Sequence, residues 1–276
     1  MKYPKITIVT PSYNQGKYIE RTILSILNQD YPNLEYLVCD GGSTDTTVEI
    51  LKRYDNRIDW WCSEKDKGQT HAINKGMKRA TGDIVGWINS DDMLLPGALY
   101  VVADFFHKHP ETDFANGYTV EIDENDKIIN FTHIVMSKFL FRKGAYNISQ
   151  QGMFWKRELF NDIGYLDETF HAKMDAEWLI RVYEAGKTVK RIDNNLGAIR
   201  IYANTKTALG GNIWVRDYNE IYKRYNGAYS PRKNSIYNVL LWLYKIISGC
   251  RLKNLIMKLK YKGKNVTLYN ENIKKV

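Results

Sequence analysis

Apolar positions along the chain fall into blocks whose period switches between that of a strand and that of a helix. Lys5-Ile-Thr-Ile-Val-Thr10 reads as a buried strand, and Pro11-Ser-Tyr-Asn14 as the turn that ends it. From Gly16 to Gln29, Ile19, Ile23, Ile26 and Leu27 recur at helical spacing. Leu34 to Cys39 predicts a second strand ending at Asp40. Gly41-Gly42-Ser43 is then a turn, from which Ser43 or Thr44 can cap a helix through Tyr54. Asp59 to Ser63 predicts a third strand, Gln69 to Ala80 a helix closed by Gly82, and Asp83 to Ile88 a fourth strand ending at Asn89-Ser90-Asp91-Asp92. Pro96 opens the next helix, where a missing N–H costs nothing. This alternation predicts right-handed βαβ units and an α/β, Rossmann-like, mostly parallel sheet with helices on both faces. From Phe114 the pattern is mixed: Phe114 to Ile122 and Lys127 to Phe131 predict a hairpin around Glu124-Asn125-Asp126, and short elements follow to about Asn226.

The 276 residues suit one large α/β domain with an appendage, and 44% apolar content supplies a sizeable core. The net charge of +9 is unevenly placed. Residues 232–276 hold eleven Lys and Arg against one acid, Glu271, while the rest of the chain is almost balanced. No separate apolar segment precedes the first strand, so no secretory signal is expected. The longest strongly apolar run, Val239 to Ile247, is interrupted by Lys245 and falls short of the ~18–20 residues of a spanning helix. Three scattered cysteines give neither a disulfide framework nor a zinc spacing, so a reducing, cytoplasmic setting is expected.

Chemistry-bearing residues gather where strands end, the place at which open α/β sheets bind ligands. Adjacent carboxylates in Asn89-Ser90-Asp91-Asp92 suit a hard divalent cation, which takes oxygen ligands; a turn or helix cap reads equally well from this motif alone. Asp40 ends the second strand and can accept a hydrogen bond from a base or ribose, with turn formation as the alternative. Asp175 and Glu177 lie on a predicted helix with Leu179, Val182 and Tyr183, and being two apart they cannot face one point.

Taken in order, Pro11-Ser-Tyr-Asn14, Asp40-Gly-Gly-Ser-Thr-Asp45, Asp66-Lys-Gly68 with Ala72-Ile-Asn-Lys-Gly76, Asn89-Ser-Asp-Asp92 with Pro96-Gly97, and Asp175 with Arg181 resemble glycosyltransferase family 2, of the GT-A fold. The match spans roughly residues 4–205 and is of the kind that builds bacterial surface polysaccharides. The resemblance implies a nucleotide pocket from Pro11, Ser12, Tyr13, Asn14, Asp40, Asp66 and Gly68, with Lys75 reaching toward it and Ser90 and Asp91 beside it. It implies a Mn²⁺ or Mg²⁺ cofactor on Asp91, with Asp92 adjacent, and Asn89 departing from the usual first Asp of an Asp-x-Asp signature. Asp175 matches the catalytic base, with Glu177 in reserve. Arg200 and Lys206 resemble a phosphate-proximal loop in which Tyr202 takes a position often held by His. Gln151 and Trp178 are candidate acceptor or sugar contacts, although core packing also accounts for Trp178. The implied reaction is inverting transfer from a nucleoside-diphosphate sugar, UDP favoured, to a glycan or lipid-linked acceptor.

On this reading residues 1–226 are the catalytic domain, with a nucleotide-binding half to about 112 and an acceptor half over 113–226. Residues 232–276 are a basic amphipathic helical tail beginning after Ser230-Pro231. Ile236, Val239, Leu240, Leu243 and Ile247 form one stripe and Leu252, Leu255, Ile256 and Leu259 another, flanked by Arg251, Lys253, Lys258 and Lys260. Such a pattern suits a helix lying in the plane of the inner face of a cell membrane, or a hairpin packed on the domain. A nucleotidyltransferase is the alternative enzyme, but Pro11-Ser-Tyr-Asn14 lacks the glycine-rich basic loop that holds a triphosphate. Nucleic-acid binding is not expected, because the excess positive charge lies outside the folded body.

Overall fold

The computed structural model describes residues 3–143, 148–203, 205, 211–225, 227, 235–247 and 249–272. Strands β1 (Ile6–Ser12), β2 (Leu34–Asp40), β3 (Trp60–Ser63) and β4 (Ile84–Trp87) lie parallel in the order β3-β2-β1-β4. Every position of β1 is buried, because helices cover both faces of the sheet. Ile6 and Ile8 share one layer with Ile19, Ile23 and Ile26 of α1 (Ile19–Leu27), whereas Val9 joins Ile73 and Met77 of α3 (Gln69–Arg79) in the other. Helix α3 sits so close to β1 that a Cβ on Gly76 would lie 2.4 Å from Val9 Cγ1. Between these helices, α2 (Thr47–Arg53) begins later than expected. Asp45, not Ser43 or Thr44, accepts from the Thr47 N–H, because Ser43 is drawn back onto Asp40.

Beyond β4 the sheet is mixed, with antiparallel pairs around one further parallel pair. Helix α4 (Ala98–Lys108) leads to the long strand β6 (Phe114–Ile122), which pairs antiparallel with β7 (Ile128–Thr132) and β8 (Met153–Lys156). β8 also pairs antiparallel with β4; β6 runs parallel to β9 (Val189–Arg200), and the short β5 (Met93–Leu94) caps β9. The β6–β7 turn falls at Glu124-Asn125-Asp126 as the sequence predicts, with Asp126 taking the left-handed conformation (φ 64°) that aspartate tolerates. Short helices α5 (Lys138–Arg142) and α6 (Leu159–Ile163) precede α7 (Met174–Glu184), and α8 (Asn212–Arg224) packs behind it.

The tail forms α9 (Ser235–Ile247) and α10 (Cys250–Tyr261), which pack on one another. Met257 and Tyr261 of α10, with Val266 and Tyr269 beyond it, enter a core layer made by Val120, Ile122, Ile128 and Phe131. The stripe Leu252, Leu255, Ile256 and Leu259 stays exposed, as do Val239, Leu240, Leu243 and Ile247, while the Ile236 side chain and residues 228–234 lie outside the described set. α10 therefore carries two apolar faces, one docked and one open. No described helix is long and apolar enough to cross a membrane.

Candidate active site

The carboxyl ends of β1, β2 and β4 open onto one cavity of about 1210 Å³. Pro11, Ser12 and Tyr13 line it from the exit of β1, with the Tyr13 ring 61% exposed at the rim. Asp66 and Gly68 line it from the loop that starts α3, where Asp66 Oδ1 accepts from the Gly68 N–H at 2.7 Å. Ser90 and Asp91 contribute from the exit of β4, Gln151 from the turn before β8, and Asp175 from the first turn of α7. Four segments far apart in sequence thus present Tyr13, Asp66, Asp91 and Asp175 to a common space.

Close packing sets the Asp66 position. A Cβ on Gly41 would stand 2.7 Å from Asp66 Oδ2, so glycine there lets the carboxylate lie across the β2 exit. Gly41→Ala is expected to leave the fold intact and to displace the Asp66 carboxylate from the β2 exit, and a crystal structure of the variant set beside wild type measures this.

Several expected contacts lie behind the wall. Asp40 is 1% exposed, and its carboxylate accepts from the Gly42 and Ser43 N–H groups and from the Ser43 and Ser63 hydroxyls. Asn14, in the left-handed region at φ 51°, accepts from the Thr44 N–H through its side-chain oxygen and donates its own backbone N–H to Ser43 Oγ, so it ties the β1 exit to the β2 exit. Lys75 is paired with Glu64 at 2.8 Å and does not line the cavity. In this structure these three shape the pocket from outside it.

The Asn89–Asp92 turn divides its labour. Asp92 is buried and fully engaged: Oδ1 accepts from the Arg200 N–H at 3.0 Å, and Oδ2 from Gln151 Nε2 at 2.7 Å and Asn89 Nδ2 at 3.1 Å. Burial, and then the charge of Asp91, push its carboxyl up to about 7. The geometry therefore argues against the expected metal role for Asp92 and makes it the anchor of the turn. Gln151 likewise spends its amide on Asp92. Asn89 accepts from Gln69 Nε2 and donates to Gln150 Oε1, which an aspartate could not do. Asp91 Oδ2 accepts from the Tyr202 hydroxyl at 3.0 Å, and burial together with Asp91 raises the phenol above its usual range.

Two further candidates are already engaged by the protein itself. Arg200 lines the cavity, but its guanidinium is buried, donates to the Asp91 and Asp123 carbonyls, and pairs with Asp126 at 2.6 Å. Glu177 faces away from Asp175, as two-residue spacing on a helix requires. It is fully buried, accepts from Arg181 Nε and the Tyr225 hydroxyl, and cannot serve as a base in the cavity. Trp178 is core, as its packing alternative has it, with its ring tilted against those of Trp155, Phe160 and Phe114 and its indole N–H on the Gly164 carbonyl. Lys206 lies outside the described residues.

Sequence reasoning passed over the opposite wall, formed by His171, Lys173, Trp214 and Tyr218. On α8, Trp214, Asp217, Tyr218 and Ile221 share one face, and the buried Asp217 Oδ2 accepts from the N–H groups of His171, Ala172 and Lys173. An aspartate inside an otherwise apolar stripe was the available signal. This contact fixes the loop that delivers Asp175.

Comparison with known proteins names the class. Residues 7–166, more than half of the chain, match the family model described as Glycosyl transferase family 2, and the chain belongs to that family. It is 33% identical over 133 residues (47% of this chain, 53% of the other) to TuaG of Bacillus subtilis (strain 168), a glycosyltransferase assigned to teichuronic acid biosynthesis. It is 34% identical over 125 residues (45% and 49%) to the Escherichia coli UDP-Glc:alpha-D-GlcNAc-diphosphoundecaprenol beta-1,3-glucosyltransferase WfgD. The chain thus spans about half the length of these two relatives. Among solved structures, Staphylococcus aureus TarS 1-349 in complex with UDP-GlcNAc superposes with a TM-score of 0.62 at 21% identity, covering 79% of this chain and 64% of that one. The fold is GT-A, and membership of this family favours that class over the nucleotidyltransferase alternative.

Proposed function

We propose that this protein is an inverting, metal-dependent glycosyltransferase that moves a sugar from a nucleoside diphosphate, UDP favoured, to a glycan or lipid-linked acceptor in surface polysaccharide synthesis. The observation that carries the reading is the single cavity lined by Tyr13, Asp66, Asp91 and Asp175. Tyr13 offers an exposed ring to a nucleobase, and Asp66 a carboxylate to its N–H edge. TarS with UDP-GlcNAc and WfgD with its UDP-Glc donor support the choice of uridine.

A Mn²⁺ or Mg²⁺ ion fits the residues present. Among the described residues no group of three or more His, Cys, Asp or Glu could hold a metal. Asp91 lines the cavity and its carboxylate takes one hydroxyl, that of Tyr202, whereas Asp92 beside it is buried on amides; Asp91 would hold the ion, and water with the donor's phosphates would complete the shell, as is usual for Mg²⁺. Bound there, the cation would neutralise charge on the departing diphosphate. Asp175 takes the proton of the acceptor hydroxyl as that oxygen attacks the anomeric carbon from the face opposite the leaving group, which gives inversion. Asp217 holds the loop before α7, and Asp92 with Gln151 and Asn89 holds the Asp91 turn.

Thermal-shift measurements over a panel of nucleoside diphosphates and sugar nucleotides, with and without Mn²⁺, test this reading. A metal-dependent shift with one nucleotide supports it, and no shift with any of them removes it.

The tail binds the inner face of the cell membrane peripherally. Leu252, Leu255, Ile256 and Leu259 are 64%, 56%, 54% and 82% exposed on α10, and the basic residues around them each add about 1 kcal/mol near an anionic leaflet. Because Met257 and Tyr261 anchor the opposite face, a Leu255→Glu/Leu259→Glu variant should stay folded yet fail to float with anionic liposomes. Flotation equal to wild type counts against membrane contact.

A further inference from the structure

Lys173 stands at the cavity wall immediately before α7, two residues from Asp175. Its ammonium rests on the Trp214 ring at 3.5 Å from the centroid and lies 4.9 Å from that of Tyr218. Among the described residues no carboxylate comes within ion-pair distance of it. Other half-buried lysines here do have one: Lys75 pairs with Glu64 and Lys187 with Asp162. Its own backbone N–H, not its ammonium, is what Asp217 holds. The Trp214 indole N–H, on the same wall, is buried with no hydrogen-bond partner among the described residues.

A half-buried cation propped on two aromatic faces, beside an orphaned N–H donor, is an arrangement short of an anion. Burial lowers the lysine's pKa, and Asp175 and Asp217 oppose that without contacting the ammonium. An anionic acceptor brought to this place would also meet the negative charge of Asp175, and a fixed cation next to it offsets that repulsion.

Resting on the reading of the cavity as a glycosyltransferase site, we propose that Lys173, Trp214 and Tyr218 form an acceptor subsite that selects an acceptor bearing an oxyanion, a phosphate or a carboxylate, near the accepting hydroxyl. Lys173 pairs with the oxyanion, Trp214 donates its indole N–H, and the exposed parts of the two rings carry the acceptor's sugar face. Lys173 is a specificity residue: it binds acceptor and takes no proton from it.

The test is calorimetric, on the full chain saturated with UDP and Mn²⁺. Three probes are titrated: an octyl N-acetylglucosaminide, the same sugar on a short prenyl diphosphate, and an octyl glucuronide. At least one anionic probe should bind roughly tenfold or more tighter than the neutral glycoside, the usual worth of a charge-assisted hydrogen bond. Which of the two it is assigns the oxyanion to phosphate or to carboxylate. Lys173→Met, which keeps the stem packed on Trp214, should erase that preference, and Lys173→Arg should retain it. UDP affinity should be the same in all three proteins. Equal binding of all probes by the wild type overturns the proposal, and so does a loss of UDP affinity in Lys173→Met, which would give the cation to the donor. A wild type that binds no UDP fails the parent reading instead.

Discussion

Asp175→Asn is expected to lower sugar transfer by at least about 10²-fold, the usual effect of losing a general base, while donor affinity stays within about twofold of wild type. The substitution is conservative in structure. Asp175 Oδ1 accepts from the Ala176 N–H at 2.8 Å, and an asparagine oxygen can keep that bond. Asp217 continues to hold the backbone of residues 171–173, so the loop before α7 keeps its course. What disappears is the ability to accept a proton. Initial rates of nucleoside-diphosphate release with acceptor present, set beside donor titrations, separate the two quantities. Glu177 offers no rescue, because its carboxylate is sealed behind the helix with Arg181 and Tyr225. A variant that transfers at the wild-type rate would remove Asp175 from the mechanism.

Asp91→Asn should abolish the part of donor binding that depends on metal. In the wild type, adding Mn²⁺ is expected to tighten UDP binding by roughly tenfold or more, as a charge-assisted contact does. In the variant the same addition should change affinity by less than about twofold. The Tyr202 hydroxyl can still donate to the asparagine oxygen, and Asp92 still anchors the turn through Arg200, Gln151 and Asn89, so the loss reports charge and not collapse. An unchanged Mn²⁺ response would place the cation elsewhere.

The parallel half of the fold was legible in the sequence because each strand there is a short apolar run closed by a turn residue. β1, β2 and β4 all fall within about two residues of their expected bounds. In the mixed half the β6–β7 hairpin was legible from its turn, but the pairing of β6 with β8 and β9 was not, since nothing local in Phe114–Ile122 encodes those two further partners. In the site, residues at strand exits were visible because their backbone position alone puts them at the cavity. Side-chain direction was not. Arg200 carries the right charge at the right strand end, yet Asp126, reached only through the β6–β7 hairpin, turns its guanidinium inward. Lys75 is drawn off by Glu64 in the same way. The tail's exposed stripe was read from helical spacing, but Met257 adjoins that same stripe and Tyr261 sits between Lys260 and Lys262, so neither marked the core layer it enters. Lys173 and Trp214 were passed over because they meet only when α8 folds back on α7.

The most direct test is a crystal structure with UDP and Mn²⁺, with the manganese located by its anomalous signal. The uracil should lie by Tyr13 and Asp66, and the manganese should join the diphosphate to Asp91, facing Asp175 across the cavity. Nucleotide or metal density outside that cavity, or none with both present at saturating concentration, would contradict it.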